Sequence, residues 1–386
     1  MGKNLLLVGG GHAHLTVLAN LRAYQEAGHH VTLVTPADYH YYSGMGPGML
    51  SGFYKPSECR FNVRAMAERG GGTFIRGRMT SIDPREGVVH LDNGMAVGYD
   101  VCSFNTGSLP PPKMAGIGGH PGVFAVKPIE NLLRAKLRLE EVLATGRSPK
   151  VLVIGGGPAG VELAGNACEL IRCGCSVDSE ADPDVAPDVA VVPGRGLLPR
   201  FPEKVRSLAY RSLARRGIKI FDGHTASRLG DGVAYLSGDL HVPWDVAFLA
   251  YGVSPQPDLS RFGVATGPKG GILVNQYLRS VSHPNILGGG DCISFAPGEL
   301  AKVGVYPVRQ NPVLHHNLLA TLNEDVLEPF TNTEGGYLLI LNCGGGRGIL
   351  HKGFLTYEGQ TAFWLKDRID RAFMKRFQVS GELEEE

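Results

Sequence analysis

The sequence predicts an α/β protein with two Rossmann-like, dinucleotide-binding domains and a C-terminal α+β domain. Two glycine-rich turns, at 4–18 and 150–165, each lie between a short apolar run and a helical pattern. A second pair of similar stretches, 99–110 and 244–255, repeats at nearly the same offset, 145 positions (244 − 99) against 146 for the first glycines (155 − 9). Two landmarks at one offset indicate that the chain contains one nucleotide-binding unit twice.

The first glycine turn follows an N-terminal strand pattern directly. Gly9 allows the chain to turn sharply, and Gly11 allows the backbone to approach phosphates without a Cβ in the way. His14 takes the place of the third glycine of the motif, and Thr35 takes the place of the acid expected after the second strand. The imidazole of His14 either donates to a pyrophosphate or is an ordinary polar helix residue, and the sequence favours neither.

The second glycine turn has the complete spacing, with Gly155, Gly157 and Gly160. The acid expected at the end of the next strand is again absent, because Pro193 stands there. Arg195 follows closely and favours a dinucleotide that carries a 2′-phosphate. A site that binds no nicotinamide dinucleotide well is the alternative.

The composition excludes several classes of protein. Lysine plus arginine number 38 and aspartate plus glutamate number 37, so no basic surface for nucleic acid is predicted. The seven cysteines argue against a disulfide framework and for a reducing compartment. The N-terminus enters a strand pattern without a signal-peptide pattern, and no apolar run reaches transmembrane length. We therefore expect a cytoplasmic protein, either free or peripheral on the cytoplasmic face of the membrane.

The C-terminal third has its own pattern. Residues 307–322 predict a helix, 335–357 predict two or three strands, and 363–377 predict an amphipathic helix. The apolar stripe of the last helix consists of Leu365, Ile369, Phe373 and Phe377. Because lysines and arginines flank this stripe, the helix either lies in a membrane interface or docks on the protein body or on a second copy in a homodimer.

Five motifs follow one another along the chain. They are the first glycine turn, Asn105-Thr106-Gly107, the second glycine turn, Ala250-Tyr251-Gly252 and Gly290-Asp291. In this order they resemble the two-dinucleotide-binding-domain flavoproteins of the pyridine nucleotide-disulfide oxidoreductase superfamily. Within that superfamily, Tyr42-Ser43-Gly44-Met45, 304–310 and 364–368 most resemble type II NADH dehydrogenases. They also resemble the flavoprotein module found fused to selenide, water dikinase.

The resemblance implies FAD as cofactor and NAD(P)H as co-substrate. It implies an FAD-binding domain at 1–115 and 273–325, an NAD(P)H-binding domain at 116–272, and a C-terminal interface domain at 326–386. The residues implied at the FAD site are Gly9, Gly11, His12, Ala13, His14, Thr35, Met45, Met79, Thr106, Gly107, Asp291, Val305 and Tyr306. The residues implied at the NAD(P)H site are Gly155, Gly157, Pro158, Ala159, Gly160 and Gly252.

The resemblance also assigns individual roles. The turn at 9–13 meets the FAD pyrophosphate, Asp291 binds the ribityl chain, and the amides of Val305 and Tyr306 face N1 and O2 of the flavin. A helix N-terminus at that place stabilises the negative charge of reduced flavin by roughly 1 kcal/mol. Glu162 matches a family glutamate beside the nicotinamide and the flavin, where it handles protons or quinone, and is the implied catalytic residue.

The positions of the cysteines argue against the reaction of a disulfide reductase. Disulfide reductases need two cysteines against the flavin, and none follow the second strand of the first unit at the required spacing. Cys168, Cys173 and Cys175 are closely spaced but fall on the second unit, and no metal-ligand pattern accompanies them.

Two hypotheses for the function remain open. The first is an FAD-dependent NAD(P)H dehydrogenase that passes electrons directly to a quinone-like acceptor. Val305 and Arg309 stand where type II enzymes carry quinone-pocket glutamines, with Gln310 adjacent, which puts the quinone in doubt. The second hypothesis, motivated by the two missing acids, is an FAD-binding redox-sensing or partner-binding module with weak nicotinamide turnover.

Overall fold

The computed structural model describes residues 2–110, 120–177, 187–256, 258–331 and 336–383, with the backbone alone for 175–177. The α-helices within these ranges are Leu15–Ala19, Leu21–Glu26, Gly46–Leu50, Val63–Arg69, Glu130–Leu143, Pro158–Val177, Glu203–Ala214, Val305–Asn323 and Gln360–Phe377. Short 3-10 turns occur at His12–His14, Ser57–Cys59, Ser260–Phe262 and Gly290–Cys292.

A five-stranded parallel sheet forms the first unit. In spatial order its strands are Ile286–Gly288, Val101–Phe104, Asn4–Val8, His30–Thr35 and Thr73–Arg76. The central strand is almost wholly buried from Leu5 to Val8, because helices cover both faces of a parallel sheet. Its carboxyl end runs directly into the first glycine turn.

The second unit repeats this arrangement. Its parallel strands, in the same spatial order, are Val123–Ala125, Val246–Leu249, Val151–Ile154, Val189–Val192 and Lys219–Ile220. Each unit also carries a three-stranded antiparallel meander, formed by Met79–Asp83, Val88–Leu91 and Ala96–Gly98 in the first and by Ala226–Gly230, Val233–Leu236 and Leu240–Pro243 in the second. The predicted α/β fold with a duplicated Rossmann-like unit is confirmed.

Two connections run between the units and pair with each other. Ser108–Leu109 leads out of the first unit and lies antiparallel to Ser254–Pro255 on the return path. Further small sheets pair Ile272–Val274 with Ile293–Phe295 and Tyr39–Tyr41 with Arg60–Asn62. The predicted domain boundaries stay a prediction.

The C-terminal part packs on both units, because its strands contact helices of the second unit and its last helix contacts the first. Its antiparallel strands are Leu339–Asn342, Gly348–Lys352 and Leu355–Gly359, and the helix Gln360–Phe377 follows. A Cβ on Gly165 of the long helix would lie 2.2 Å from the Cys343 carbonyl oxygen, so this glycine permits the close approach of the two parts.

The predicted apolar stripe of the last helix is split in the structure. Phe377 is buried and Phe373 packs on the core, whereas 45% of Ile369 is exposed. The buried face consists of Ala362, Phe363, Lys366, Asp370, Met374 and Phe377. The helix is therefore docked on the protein body. No helix in the described ranges is both long and apolar enough to span a membrane.

Candidate functional site

A cleft of about 1110 Å³ lies where the second glycine turn, the start of the helix Val305–Asn323 and the C-terminal helix meet. The segment 42–47 and the strand Leu339–Asn342 contribute further walls. The predicted site residues that line this cleft are Gly155, Gly157, Pro158, Ala159, Glu162, Gly252 and Val305. The cleft thus joins the predicted nicotinamide site to the helix end that is predicted to face the flavin.

The second glycine turn forms a cradle that opens into the cleft. Gly155 has a φ of +131°, and a Cβ there would lie 2.2 Å from the Ala250 carbonyl oxygen. A Cβ on Gly160 would lie 1.9 Å from the Gly155 carbonyl oxygen, so Gly160 lets the helix pack against its strand. A Cβ on Gly157 would meet no protein atom within 4 Å. The turn therefore fits a pyrophosphate at the helix N-terminus, as a dinucleotide requires.

The first glycine turn makes the same close approach to its sheet. A Cβ on Gly9, which has a φ of +92°, would lie 2.4 Å from the Asn105 carbonyl oxygen, and one on Gly11 would lie 2.2 Å from Asn105 Oδ1. The Asn105 side chain accepts a hydrogen bond from the Ala13 amide at 2.9 Å and donates to the Gly289 carbonyl at 2.6 Å. Asn105 therefore connects the ends of three strands. Its side chain also occupies the amide of Ala13, a residue that the resemblance assigns to the pyrophosphate.

His14 is fully buried and does not line the cleft. Its Nδ1 lies 2.6 Å from the Gly9 carbonyl oxygen, and its Nε2 lies 2.8 Å from Ser103 Oγ. Burial lowers the pKa of His14 to about 4, although the hydrogen bond to Gly9 opposes this. The neutral ring donates from Nδ1 to the carbonyl and accepts at Nε2 from the Ser103 hydroxyl. The ring thus packs the turn against the sheet, and both nitrogens that a pyrophosphate would need are occupied.

His12 has an unpartnered polar atom beside the first glycine turn, where FAD is predicted to bind. Only 8% of His12 is exposed, its Nδ1 lies 3.0 Å from His40 Nε2, and its own Nε2 is buried without a partner among the described residues. Burial, followed by the charges of His40 and Lys127, lowers the pKa of His12 well below its ordinary value. With His40 donating to Nδ1, His12 keeps an N–H at Nε2. An orphaned buried donor beside a glycine turn fits a phosphate oxygen of FAD.

Asp291 lies beside the connection between the units. Its carboxylate accepts a hydrogen bond from Ser108 Oγ at 2.7 Å and is paired with Lys127, whose Nζ also donates to Ser108 Oγ at 3.0 Å. Lys127 lines the cleft and was not among the predicted site residues. The sequence offers no sign of this pair, because 164 positions separate the two residues. The pair fixes an ammonium group and a carboxylate, with no net charge, beside the predicted flavin site.

A long helix begins at the cleft with Val305. The amide of Tyr306 donates within the preceding turn at 3.2 Å, whereas the amide of Val305 makes no backbone hydrogen bond among the described residues. Of the two amides that the resemblance assigns to the flavin, the amide of Val305 is therefore the free one. Gln310 points into the core, where its Oε1 accepts from the Gly290 amide at 2.7 Å, and Arg309 lines the cleft instead.

The other residues predicted for FAD do not line this cleft. Met45 is fully buried in the core, so its side chain is not free for a ligand, and Thr35 is buried at the end of its strand. Met79 lies on the first meander. Thr106 donates to a backbone carbonyl of the second unit, and Gly107, with a φ of +75°, has open space where a Cβ would stand. Their contacts with a cofactor stay predictions.

Glu162 lies one turn beyond the second glycine cradle. Its Oε1 accepts a hydrogen bond from the Asn342 amide at 2.8 Å. Burial raises the pKa of Glu162 to about 7, the positive charge of Lys366 and the amide oppose this rise, and the charge of Asp370 adds to it. A carboxyl group that titrates near neutral pH inside a cleft is suited to general acid–base work.

Lys366 and Asp370 stand across from Glu162 on the C-terminal helix, and both line the cleft. They form a buried ion pair one helical turn apart, and Lys366 Nζ also donates to the Gly44 carbonyl at 2.6 Å. The Tyr42 hydroxyl donates to Asp370 Oδ1 at 3.0 Å. The spacing of four residues between Lys366 and Asp370 is the one sequence signal that connects them.

None of the cysteines in the described ranges lines the cleft. Cys168 is buried with its thiol near the Arg216 carbonyl, and Cys173 is exposed near Glu169. The Cys175 side chain falls outside the described part of the chain. Within that part there is also no group of three or more side chains that would hold a metal ion.

Fold and cleft define a two-domain, dinucleotide-binding oxidoreductase. The family model of the pyridine nucleotide-disulphide oxidoreductases matches residues 3–317, and the chain belongs to this family. The family prediction is thus confirmed, and membership implies binding of FAD and NAD(P)H. The reaction of this chain is not given by the family alone.

Individual relatives are distant. Ferroptosis suppressor protein 1 of Taeniopygia guttata is 24% identical over 362 residues, which cover 89% of this chain and 87% of the relative. The mitochondrial internal alternative NAD(P)H-ubiquinone oxidoreductase A1 of Arabidopsis thaliana is 25% identical over 173 residues, covering 43% of this chain and only 33% of the relative. The solved structure of NDH2 from Plasmodium falciparum in complex with NADH has a TM-score of 0.76 at 14% identity and covers 98% of each chain.

Proposed function

We propose that the chain is an FAD-dependent NAD(P)H dehydrogenase that passes electrons to a quinone-like acceptor without a redox-active dithiol. The observation that carries the proposal is the group formed by Glu162, Lys366 and Asp370 in the cleft into which the second glycine cradle opens. This group supports proton transfer, rather than thiol chemistry, beside the predicted nicotinamide site. Relatives named as NAD(P)H-ubiquinone oxidoreductases support a quinone-like acceptor.

The residues of the chain have separable tasks in this mechanism. Bound FAD supplies two-electron acceptance from NAD(P)H and release of the electrons to a second substrate. The cradle at Gly157 orients the dinucleotide, the Val305 amide provides positive potential at the flavin, and Lys127 holds the Asp291 carboxylate in place. Glu162 holds a proton on Oε2, the oxygen that the Asn342 amide leaves free, and delivers it to the reduced acceptor. The charge of Lys366 stabilises the carboxylate that remains.

The acceptor enters along the C-terminal helix. Val308, Ile369 and Phe373 give this side of the cleft an apolar wall. Outside the cleft, Trp364 is 59% exposed and Phe354 fully exposed. Exposed apolar side chains on the C-terminal part suit contact with a membrane interface, where an apolar acceptor is held, so we place the protein peripherally at a membrane surface. A homodimer contact through the same exposed side chains is the alternative.

Anaerobic titration tests the first half of the reaction. NADH or NADPH should bleach the flavin absorbance of the FAD-loaded protein, because the proposal brings a nicotinamide dinucleotide and FAD to neighbouring sites. If neither nucleotide bleaches the flavin, the dehydrogenase proposal fails. Bleaching without turnover on any quinone analogue would favour the redox-sensing module instead.

Rapid mixing of the reduced protein with a quinone analogue tests the second half. Glu162→Gln should slow oxidation by about 10²- to 10⁴-fold, the usual contribution of a positioned acid, and leave bleaching by the nucleotide much faster than that step. Glu141→Gln, on an exposed helix face, is the matched control and should change neither step. Equal oxidation rates in the wild type and Glu162→Gln would remove Glu162 from the mechanism.

A further inference from the structure

The end of the cleft beyond the glycine cradle is formed by a loop that follows the strand Val189–Val192. The loop residues that line the cleft are Pro193, Gly194, Arg195, Leu198, Pro199 and Arg200. A dinucleotide whose pyrophosphate lies on the cradle places its adenosine ribose here. The carboxylates among the described lining residues, Glu162 and Asp370, lie on two helices, so this loop offers no carboxylate to a free ribose 2′-hydroxyl.

Hydrogen bonds hold this loop firmly against the cradle. The Leu198 amide donates to the Gly156 carbonyl at 2.7 Å, and the Leu197 amide donates to the Tyr210 hydroxyl at 3.1 Å. That hydroxyl in turn donates to Asp222 Oδ2 at 2.7 Å. The backbone that presents the two arginines is therefore fixed relative to the predicted pyrophosphate position, which favours recognition over loose electrostatic attraction.

Arg195 and Arg200 are both exposed to the cleft. In the described part of the chain, neither guanidinium has a carboxylate within ion-pair distance, although the charge of Arg200 helps to lower the pKa of Glu299, whose main partner is Lys269. A guanidinium offers planar paired donors that match phosphate oxygens. The usual carboxylate is thus replaced at this end by two cations available to an anion.

The charge of the whole cleft acts in the same direction. Among the described residues that line it, Lys127 is neutralised by Asp291 and Lys366 by Asp370. The cations that remain are Arg195, Arg200, Lys302 and Arg309, against the carboxyl group of Glu162. A concave site of one sign concentrates ligands of the other. A 2′-phosphate adds between one and two negative charges to a dinucleotide, so the field favours the phosphorylated form.

We infer that this cleft binds NADPH in preference to NADH, with Arg195 and Arg200 holding the 2′-phosphate. The inference rests on the proposed function in that it takes the cleft as the nicotinamide dinucleotide site. It also gives Pro193 a role, because an acid at this position would repel the phosphate that the arginines attract.

Calorimetric titration of the FAD-loaded protein with adenosine 2′,5′-bisphosphate and with 5′-AMP tests the inference. These probes differ by the 2′-phosphate alone and carry no nicotinamide, so the readout does not depend on turnover. The bisphosphate should bind at least about tenfold more tightly, as one charge-assisted contact provides. Arg195→Ala and Arg200→Ala should each remove most of that difference, and Pro193→Glu should reverse it.

Arg22→Ala is the matched control, since Arg22 is an exposed arginine on a helix of the first unit that does not line the cleft. It should keep the full preference for the bisphosphate. Equal binding of the two probes, or a preference that survives both arginine substitutions, overturns the inference. Titration with intact NADH and NADPH distinguishes failure of the inference from failure of the proposed function. Tighter binding of NADH than of NADPH overturns the inference alone. Binding of neither dinucleotide overturns the proposed function as well.

Discussion

His14 and Gly160 occupy equivalent places in the two glycine turns, but the helix packs against its strand in a different way in each unit. At Gly160 the helix comes so close to its strand that a Cβ would overlap the Gly155 carbonyl. In the first unit the chain passes through a 3-10 turn, His12–His14, before the α-helix begins. This change leaves room for the imidazole of His14, which donates to the Gly9 carbonyl. In the second unit, Gly160 instead lets the helix backbone contact the Gly155 carbonyl directly.

His14 should make stability depend on pH. Its pKa is about 4 in the folded protein and 6.5 as the ordinary value, so between these limits the unfolded chain binds more protons. The free energy of unfolding should therefore fall as pH falls through this window, by about 2 kcal/mol at pH 5 from His14 alone. Urea unfolding at pH 7 and pH 5 should show a smaller loss for His14→Gln than for the wild type. The exposed His30→Gln should keep the wild-type loss; an unchanged loss in His14→Gln would contradict the prediction.

Glu162 should act in the opposite sense. Its pKa is raised from 4.5 to about 7, so between these values the folded protein holds a proton that the unfolded chain has lost. The free energy of unfolding should fall as pH rises through this window, by on the order of 3 kcal/mol at most.

Glu162→Gln should remove this contribution, which denaturant titration at pH 5 and pH 8 will measure. The variant should also lack the inflection near pH 7 that we expect for acceptor reduction by the wild type. A wild-type rate that is flat between pH 6 and pH 8 would contradict the assigned role.

At the scale of the element, the C-terminal helix buries charges where its sequence suggests an apolar contact. Its inward face contains Lys366 and Asp370, tied to Gly44 and Tyr42 of the first unit. The apolar Trp364 and Ile369 remain largely exposed. The helix therefore docks through a buried polar network as well as through apolar side chains such as Met374 and Phe377.

Removing one member of the buried pair should be more costly than replacing both. Lys366→Met leaves Asp370 without its cation and should lower the free energy of unfolding by about 3–5 kcal/mol, whereas Lys366→Met with Asp370→Leu should be closer to the wild type. Lys375→Met, on the exposed face, should have little effect. Chemical denaturation measures all three, and a single variant as stable as the double one would show that the pair does not act as a unit.

At the scale of the molecule, the predicted FAD site is assembled from distant parts of the chain. The first glycine turn, Asn105, Asp291 and Val305 converge through the first sheet and the long helix. A ligand held by such separated segments should stabilise the whole fold, because it binds the folded form alone.

Removal of FAD should therefore lower the melting temperature, and added FAD should restore it. At a free concentration of about 100 Kd the stabilisation should reach about 2.7 kcal/mol. Thermal melts of the deflavinated protein test this, with riboflavin as the control, since it lacks the pyrophosphate that the glycine turn fits. Restoration by riboflavin alone would contradict a pyrophosphate site at Gly11.

The sequence by itself determined the duplicated α/β unit and the two glycine turns. Strand periodicity, glycine spacing and a repeat offset are properties of neighbouring residues or of the chain compared with itself. It did not determine which way His14 and Gln310 point, because helix packing decides which side of a turn faces the core. Tertiary structure alone decided that Glu162 lies within the electrostatic influence of Lys366, and that Asp291 forms an ion pair with Lys127. These partners lie far apart along the chain, so their proximity in the folded protein leaves no local pattern in the sequence.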